Sequence, residues 1–349
     1  ARPCGEGNPS VCGIIAIVRR RATRSVPSST EVLSGLPALL ASLPADATAL
    51  GHLADQYEVL NAMLSGVPGV TCLMSDAALI ANLTHHTDAL EAGIAELEVL
   101  LEAGVAGIEL EGINASLLRV KDAGWAIGRD RLRTALAVAD MCQEGVTVGS
   151  VEAFTSVQEA LSAIDRLEVR GRDSAGLHLL VRAYDLDLDS PDIQRRIAAR
   201  GSDPLFGSGS VRIASGHLSF VYKAAAEIGE LGDNTRALRA AITADDLLRR
   251  ALVNDEASVT VLGHTRWASV GIISEPNAHP LNSELTDDAS WPYVTAALNG
   301  DVDNFADIRS AEGLSIAPTI STDAKVIPTL MAKHLDAIDE RSQLSGVDE

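Results

Sequence analysis

The chain has 349 residues, of which 46% are hydrophobic and 22% charged, and its formal net charge is −20. That composition supports a packed globular core, and the acidic balance argues against a nucleic-acid or anionic-membrane surface, which needs clustered positive charge; the one basic patch is Arg19-Arg20-Arg21-Ala22-Thr23-Arg24. Aromatic residues are only 3%, so Leu, Ala, Val and Ile must build the core. Cys4, Cys12, Cys72 and Cys142 are scattered and form no Cys-x-x-Cys pair, so neither a disulfide framework nor a zinc site is expected. Residues 1–11 hold no apolar signal-peptide core, and no run approaches the ~18 apolar residues of a membrane span. A cytoplasmic protein is the expectation.

Residues 1–11 are polar and rich in Pro and Gly, and read as a leader or flexible arm. Cys12-Gly13 then lead into Ile14-Ile15-Ala16-Ile17-Val18, a short β-branched run that predicts a buried strand. A cysteine at the lip of such a strand is either a small core residue or a nucleophile held against a cleft. Cys4 is the weaker candidate, because Glu6-Gly7-Asn8-Pro9 cannot continue as a strand.

From 29 to 149 the pattern is helical. Leu53, Tyr57, Leu60 and Leu64 recur at helical spacing, as do Leu79, Leu83, Leu90, Ile94, Leu97 and Leu101. Leu118, Leu132, Leu136 and Ala139 suggest a further helix pair, with Asn114 as its N-cap and Gly124 and Gly128 weakening its middle. Adjacent His85 and His86 point to different helix faces, which favours a solvated pair over metal ligands. The expected organisation is an all-helical insertion at 29–149, flanked by 12–28 and 150–349 as two parts of one α+β domain.

In the second part, Ser156-Val157-Gln158-Glu159 carries a capping-box pattern before a helix with Val157, Leu161, Ile164 and Leu167 on one face. A tight turn, Arg170-Gly171-Arg172-Asp173, precedes Ser174-Ala175-Gly176-Leu177 and an apolar strand; Arg170 and Asp173 read as braces of that turn. Residues 201–210 form a Gly/Ser loop without a phosphate-binding signature. Further strands are expected at 216–225, 259–262 and 293–298, and a helix at 243–252. Val259–Leu262 runs into Gly263-His264-Thr265-Arg266-Trp267-Ala268-Ser269, followed by Asn277-Ala278-His279-Pro280. The strand at 293–298 ends in Asn299-Gly300. Ser321-Thr322-Asp323-Ala324 precedes an apolar helix, with Thr322 as its N-cap. Taken singly, Arg266 fits a strand-end salt bridge, Asp323 a helix cap and Asn299-Gly300 a hairpin turn.

In this order, the Cys-Gly-Ile strand, Arg-Gly-x-Asp-Ser-Ala-Gly-Leu, His-Thr-Arg-Trp-Ala-Ser, Asn-Ala-His-Pro, Asn-Gly and Thr-Asp resemble the class II glutamine amidotransferases. Those enzymes are N-terminal-nucleophile hydrolases, and the likeness is greatest to the glutaminase domain of glucosamine-6-phosphate synthases. It covers 12–20 and about 157–336. It implies an α+β four-layer α/β/β/α sandwich with two antiparallel sheets, here interrupted by the all-α insertion. It also implies hydrolysis of L-glutamine to supply ammonia, with fructose 6-phosphate as acceptor on an isomerase domain that this chain lacks.

On this resemblance Cys12 forms the thioester, with its own freed α-amine as base. Asn299 and Gly300 form the oxyanion hole. Arg266 and Ser269 hold the α-carboxylate, Asp323 holds the α-ammonium group and Trp267 gates ammonia. No cofactor or metal is implied, and a homo-oligomer is expected of the full protein.

Several residues depart from the pattern. Cys12 is internal as written, so its nitrogen is an amide unless residues 1–11 are removed. Val270 replaces a histidine, and Val169 and Arg172 replace tyrosines. The family's further strands beyond the Thr-Asp helix are missing, so the second part is expected to be truncated. An amidophosphoribosyltransferase and a catalytically silent binding module are the alternatives.

Overall fold

The structure, a computed structural model, describes residues 12–39, 42–104, 110–169, 171–201, 203, 205–225, 230–268, 271–285 and 291–345. The expected arm, together with Cys4, Arg170, Ser269 and Val270, lies outside them. The chain divides into two compact units, Arg20–Val146 and Ala1–Arg19 with Thr147–Glu349.

The first unit is helical: α1 (Ser29–Gly35), α2 (Ala47–Met63), α3 (Gly66–Ser75), α4 (Ala77–Glu102), α5 (Leu110–Trp125) and α6 (Leu132–Cys142). Short polar side chains start three of these helices. Ser28 and Glu31 form a reciprocal capping box on α1, and Asp46 and Asp76 cap α2 and α4. The two predicted stripes are buried, from Leu53 to Leu64 and from Leu79 to Leu97, with the last predicted residue, Leu101, half-buried.

The third stripe is displaced in part: Leu132 is buried as expected and Ala139 is half-buried. On α5 the core residues are Ile113, Leu117 and Val120, whereas Leu118 and Leu136 are exposed. Asn114 lies inside α5 and caps nothing. α5 is keyed to α2 by Ser116 Oγ donating to Ala47 O and by Arg119, which bonds Glu58 and Asp55. These contacts set the buried face of α5 one residue away from Leu118. Gly124 does not interrupt the helix. A Cβ there would stand 2.6 Å from Leu90 Cδ2, so glycine permits close packing, and a π-helical turn at Ala126–Arg131 carries the chain into α6. The histidine pair is also split: His85 is exposed, but His86 is buried and its Nε2 lies 2.7 Å from the Tyr57 hydroxyl. No described residues form a cluster able to hold a metal ion.

The second unit mixes sheet and helix, an α+β arrangement. Its elements are β1 (Gly13–Val18), α7 (Val148–Leu167), β2 (Ser174–Arg182), α8 (Pro191–Gly201), β3 (Val211–Ala214) and β4 (His217–Ala224). They continue with α9 (Asp233–Ala244), α10 (Asp246–Leu252), β5 (Ser258–Arg266), β6 (Leu281–Asn282), β7 (Thr295–Ala296), α11 (Phe305–Ala311) and α12 (Val326–Ser345). The first five strands form one antiparallel sheet in the order β1-β5-β2-β4-β3, and β6 and β7 form a separate two-residue ladder.

α7 covers the sheet with Val151, Phe154, Val157, Leu161 and Ile164. It begins eight residues before the expected capping box, and the expected boundary at 149 falls inside it. Thr147 is its N-cap, in a reciprocal box with Ser150, and the Ser156 hydroxyl bonds back to Glu152 O. Among the described residues, the predicted strand at 293–298 pairs only at Thr295–Ala296. Side chains take over the neighbouring backbone groups: Ser283 Oγ donates to Pro292 O and accepts from Val294 N. Thr322 starts a 3-10 turn (Asp323–Lys325) before α12, without a side-chain cap bond to the backbone. No single described helix is long and apolar enough to cross a membrane.

Candidate active site

The ends of three strands bring the site together. β1 pairs with β5 so that Gly13 faces Thr265, and β2 pairs with β5 so that Ser174 faces Arg266. This register sets Cys12, one residue before β1, beside Arg266 and Trp267 at the end of β5. Gly13 is required by packing: a Cβ would meet Leu167 at 2.8 Å and Thr265 Oγ1 at 2.9 Å. The Gly13 N–H instead donates to Thr265 Oγ1, which fixes the backbone immediately after the cysteine.

Cys12 is half-buried and its thiol is free. The Trp267 N–H donates to Cys12 Sγ at 3.3 Å, while the Trp267 indole is exposed. From the other side, Asn299 Nδ2 donates to the Cys12 carbonyl at 2.9 Å. Asn299 and Gly300 are exposed, and Gly300 has φ +151, a conformation that side chains rarely adopt.

Arg266 is 4% exposed and donates to Ile272 O. Burial pulls its pKa below the usual guanidinium range, opposed by the negative potential of Cys12, Asp323 and Asp173. Asp323 is equally buried. It accepts Val302 N–H at 2.5 Å and the Thr322 hydroxyl at 3.4 Å, which ties the loop after Gly300 to the 3-10 turn.

The structure therefore brings Cys12, Trp267 and Asn299 into direct contact, with Arg266 and Asp323 buried nearby. Ser269 lies outside the described residues. Two positioning residues went unassigned or half-assigned in the sequence. Asn277, fully buried, accepts Ser321 N–H and Thr322 N–H on one carbonyl oxygen and donates to Thr319 O, so it holds the approach to Asp323. Asp173 accepts Ala268 N–H, and its own N–H donates to Arg266 O, so it braces the end of β5 as well as its own turn. An Asn beside a Pro-containing loop is the only local signal for the first. The second becomes visible only when β2 and β5 are paired.

No protein-family profile and no solved structure matches the chain. Curated proteins do. Over 88 residues, 24% of this chain, it is 38% identical to the glutamine–fructose-6-phosphate aminotransferase (isomerizing) of Agrobacterium fabrum. Over 96 residues, 26% of the chain, it is 35% identical to the protein of that name from Chlamydia caviae. Over 185 residues, 53% of the chain, it is 28% identical to the one from Acidithiobacillus ferridurans. The matches span 13%, 14% and 21% of those proteins' lengths, respectively. Fold and site define an α+β unit with a cysteine at the mouth of its first strand. The matches relate it to a domain of these aminotransferases.

Proposed function

We propose that the second unit is a glutamine amidotransferase domain that hydrolyses the carboxamide of L-glutamine and supplies ammonia. The observation that carries this reading is the Cys12 sulfur, fed by the Trp267 N–H, next to the Asn299 amide and the buried Arg266. The Cys12 thiolate attacks the carboxamide carbon, and the carbonyl electrons move to oxygen. Asn299 Nδ2 and Gly300 N–H stabilise that oxyanion. As the tetrahedral intermediate collapses, the C–N bond breaks, nitrogen takes a proton and ammonia leaves a γ-glutamyl thioester. Water then adds to the thioester, the C–S bond breaks, and glutamate and the thiol are released.

The proton carrier is the α-amine of Cys12, whose reference pKa of about 8 suits neutral pH. It exists only after residues 1–11 are removed. The Arg266 fork takes the substrate α-carboxylate with help from Ser269, Asp323 takes the α-ammonium group, and Trp267 covers the ammonia path. The acceptor is a sugar phosphate, fructose 6-phosphate, on an isomerase domain elsewhere in a homo-oligomeric cytoplasmic enzyme of amino-sugar biosynthesis. The fold is the four-layer sandwich, with the β6–β7 ladder as the start of the second sheet.

One observation favours a second reading. As written, the Cys12 nitrogen is an amide, which suits a silent amidotransferase-like binding module. Ammonia release from glutamine decides between them. Protein beginning at Cys12 is expected to hydrolyse glutamine, and protein beginning at Ala1 is not. Inactivity of both forms would leave the silent module. Full activity of the longer form would remove the α-amine from the mechanism.

A further inference from the structure

Two buried histidines outside the chemistry above hold the same residue. His264, on β5, places Nε2 2.9 Å from the Leu298 carbonyl oxygen. The Leu298 N–H donates to His279 Nδ1 at 3.3 Å. A carbonyl only accepts and an amide N–H only donates, so both tautomers follow. His264 carries its proton on Nε2. His279 leaves Nδ1 bare and carries its proton on Nε2 as well. The rings lie against each other, with centroids 4.4 Å apart and planes 41° apart.

Both side chains are within 4% of full burial, and their remaining nitrogens, His264 Nδ1 and His279 Nε2, find no partner among the described residues. Two half-satisfied imidazoles are a poor way to fill a core, since buried polar groups normally find partners. Their hydrogen-bonding capacity is directed at one residue, Leu298, and the next two are Asn299 and Gly300. Fixing the Leu298 C=O also fixes the Asn299 N–H, because the two share a peptide plane. The far side of the same loop is held by Asp323 on the Val302 N–H.

We propose that His264 and His279 are paired positioning residues that aim the Asn299 and Gly300 donors at the developing oxyanion. The inference rests on the glutaminase reading of the site. It deepens that reading by naming what preorganises the oxyanion hole, which works only when its donors are already in place.

The two bonds have opposite polarity, and that gives the test. A Gln amide nitrogen stands about where His Nε2 does, and an Asn amide oxygen about where His Nδ1 does. The conservative replacements are therefore His264→Gln and His279→Asn, and the mismatched ones are His264→Asn and His279→Gln. In protein beginning at Cys12, His264→Ala and His279→Ala are expected to lower kcat for glutamine roughly tenfold or more, with KM nearly unchanged. His264→Gln and His279→Asn should recover most of that loss, and the mismatched forms should not.

A second readout needs no activity. Hydrogen exchange at the Leu298 amide, followed by NMR, should be slow in the parent and in His279→Asn, and fast in His279→Gln. If the alanine variants do not melt cooperatively, the matched and mismatched pairs decide. Equal kcat in matched and mismatched forms, or an effect on KM alone, overturns the proposal. Unchanged Leu298 exchange in His279→Gln shows that the clamp itself is absent. A parent protein that does not hydrolyse glutamine removes the function and the positioning role together, while the exchange result still reports on the clamp.

Discussion

Arg266 is buried among groups of negative potential, and burial strips water from its charge. A cation held this way binds a carboxylate strongly if its geometry fits. Arg266→Lys keeps the charge and loses the planar fork, so KM for glutamine should rise by an amount equivalent to about 1.5–3 kcal/mol. Asn299→Ala should act on the other parameter, lowering kcat by roughly 10²-fold or more as a lost oxyanion donor does. Steady-state kinetics separate the two, and a KM effect alone from Asn299→Ala contradicts its role.

The buried histidines make a pH prediction. Burial lowers His178 and His264 to about 4, below the unfolded value of about 6.5. As pH falls below 6.5 the unfolded chain takes up these protons first. Their contribution is therefore complete above pH 6.5 and lost between 6.5 and 4. Unfolding free energy should drop on the order of 1–2 kcal/mol per histidine between pH 7.5 and 5. Denaturant melts that are flat across this range would show these imidazoles to be accessible to solvent protons.

Among the elements, α7 and β1 offer single changes with defined contacts. Thr147→Ala removes a side-chain bond to the Ser150 N–H and should cost about 1 kcal/mol of stability. Gly13→Ala puts a methyl group within 2.8 Å of Leu167, and should cost about 1–3 kcal/mol by overpacking. Because it pushes β1 away from α7, it should also displace Cys12 and lower glutaminase activity. Thermal melts and activity, taken together, test whether stability and function fall in parallel for Gly13→Ala and only stability falls for Thr147→Ala.

At the scale of the molecule, the site residues Cys12, Arg266, Asn299 and Asp323 all belong to one compact unit, and the helical unit runs from Arg20 to Val146. We propose that this helical unit serves assembly or regulation. Replacing 20–146 by a short Gly/Ser linker should leave glutamine hydrolysis within about tenfold, a barrier change near 1.4 kcal/mol, and should alter oligomeric state instead. A shortened protein that melts cooperatively but no longer hydrolyses glutamine would place the helices in the catalytic machinery.

The sequence by itself determined the helical stripes on α2 and α4 and the strand after Cys12, because each is a local pattern, a 3.6-residue period or a β-branched run. The candidate site residues were legible only through the order of their motifs, since Arg266, Asp323 and Asn299-Gly300 each fit a structural role when taken singly. Tertiary structure decided the rest. The buried face of α5 shifted away from Leu118 because Ser116 and Arg119 dock on α2, and a stripe with leucines on both flanks does not say which flank is covered. The start of α7 moved because Thr147 and Ser156 offer equivalent capping chemistry, and only packing against the sheet selects one. The strand at 293–298 shrank to two residues because Ser283, His264 and His279 took its backbone hydrogen bonds. Asp173 and Asn277 reached the site for the same reason: strand pairing and side-chain-to-backbone bonds join residues tens of positions apart, which no local pattern encodes.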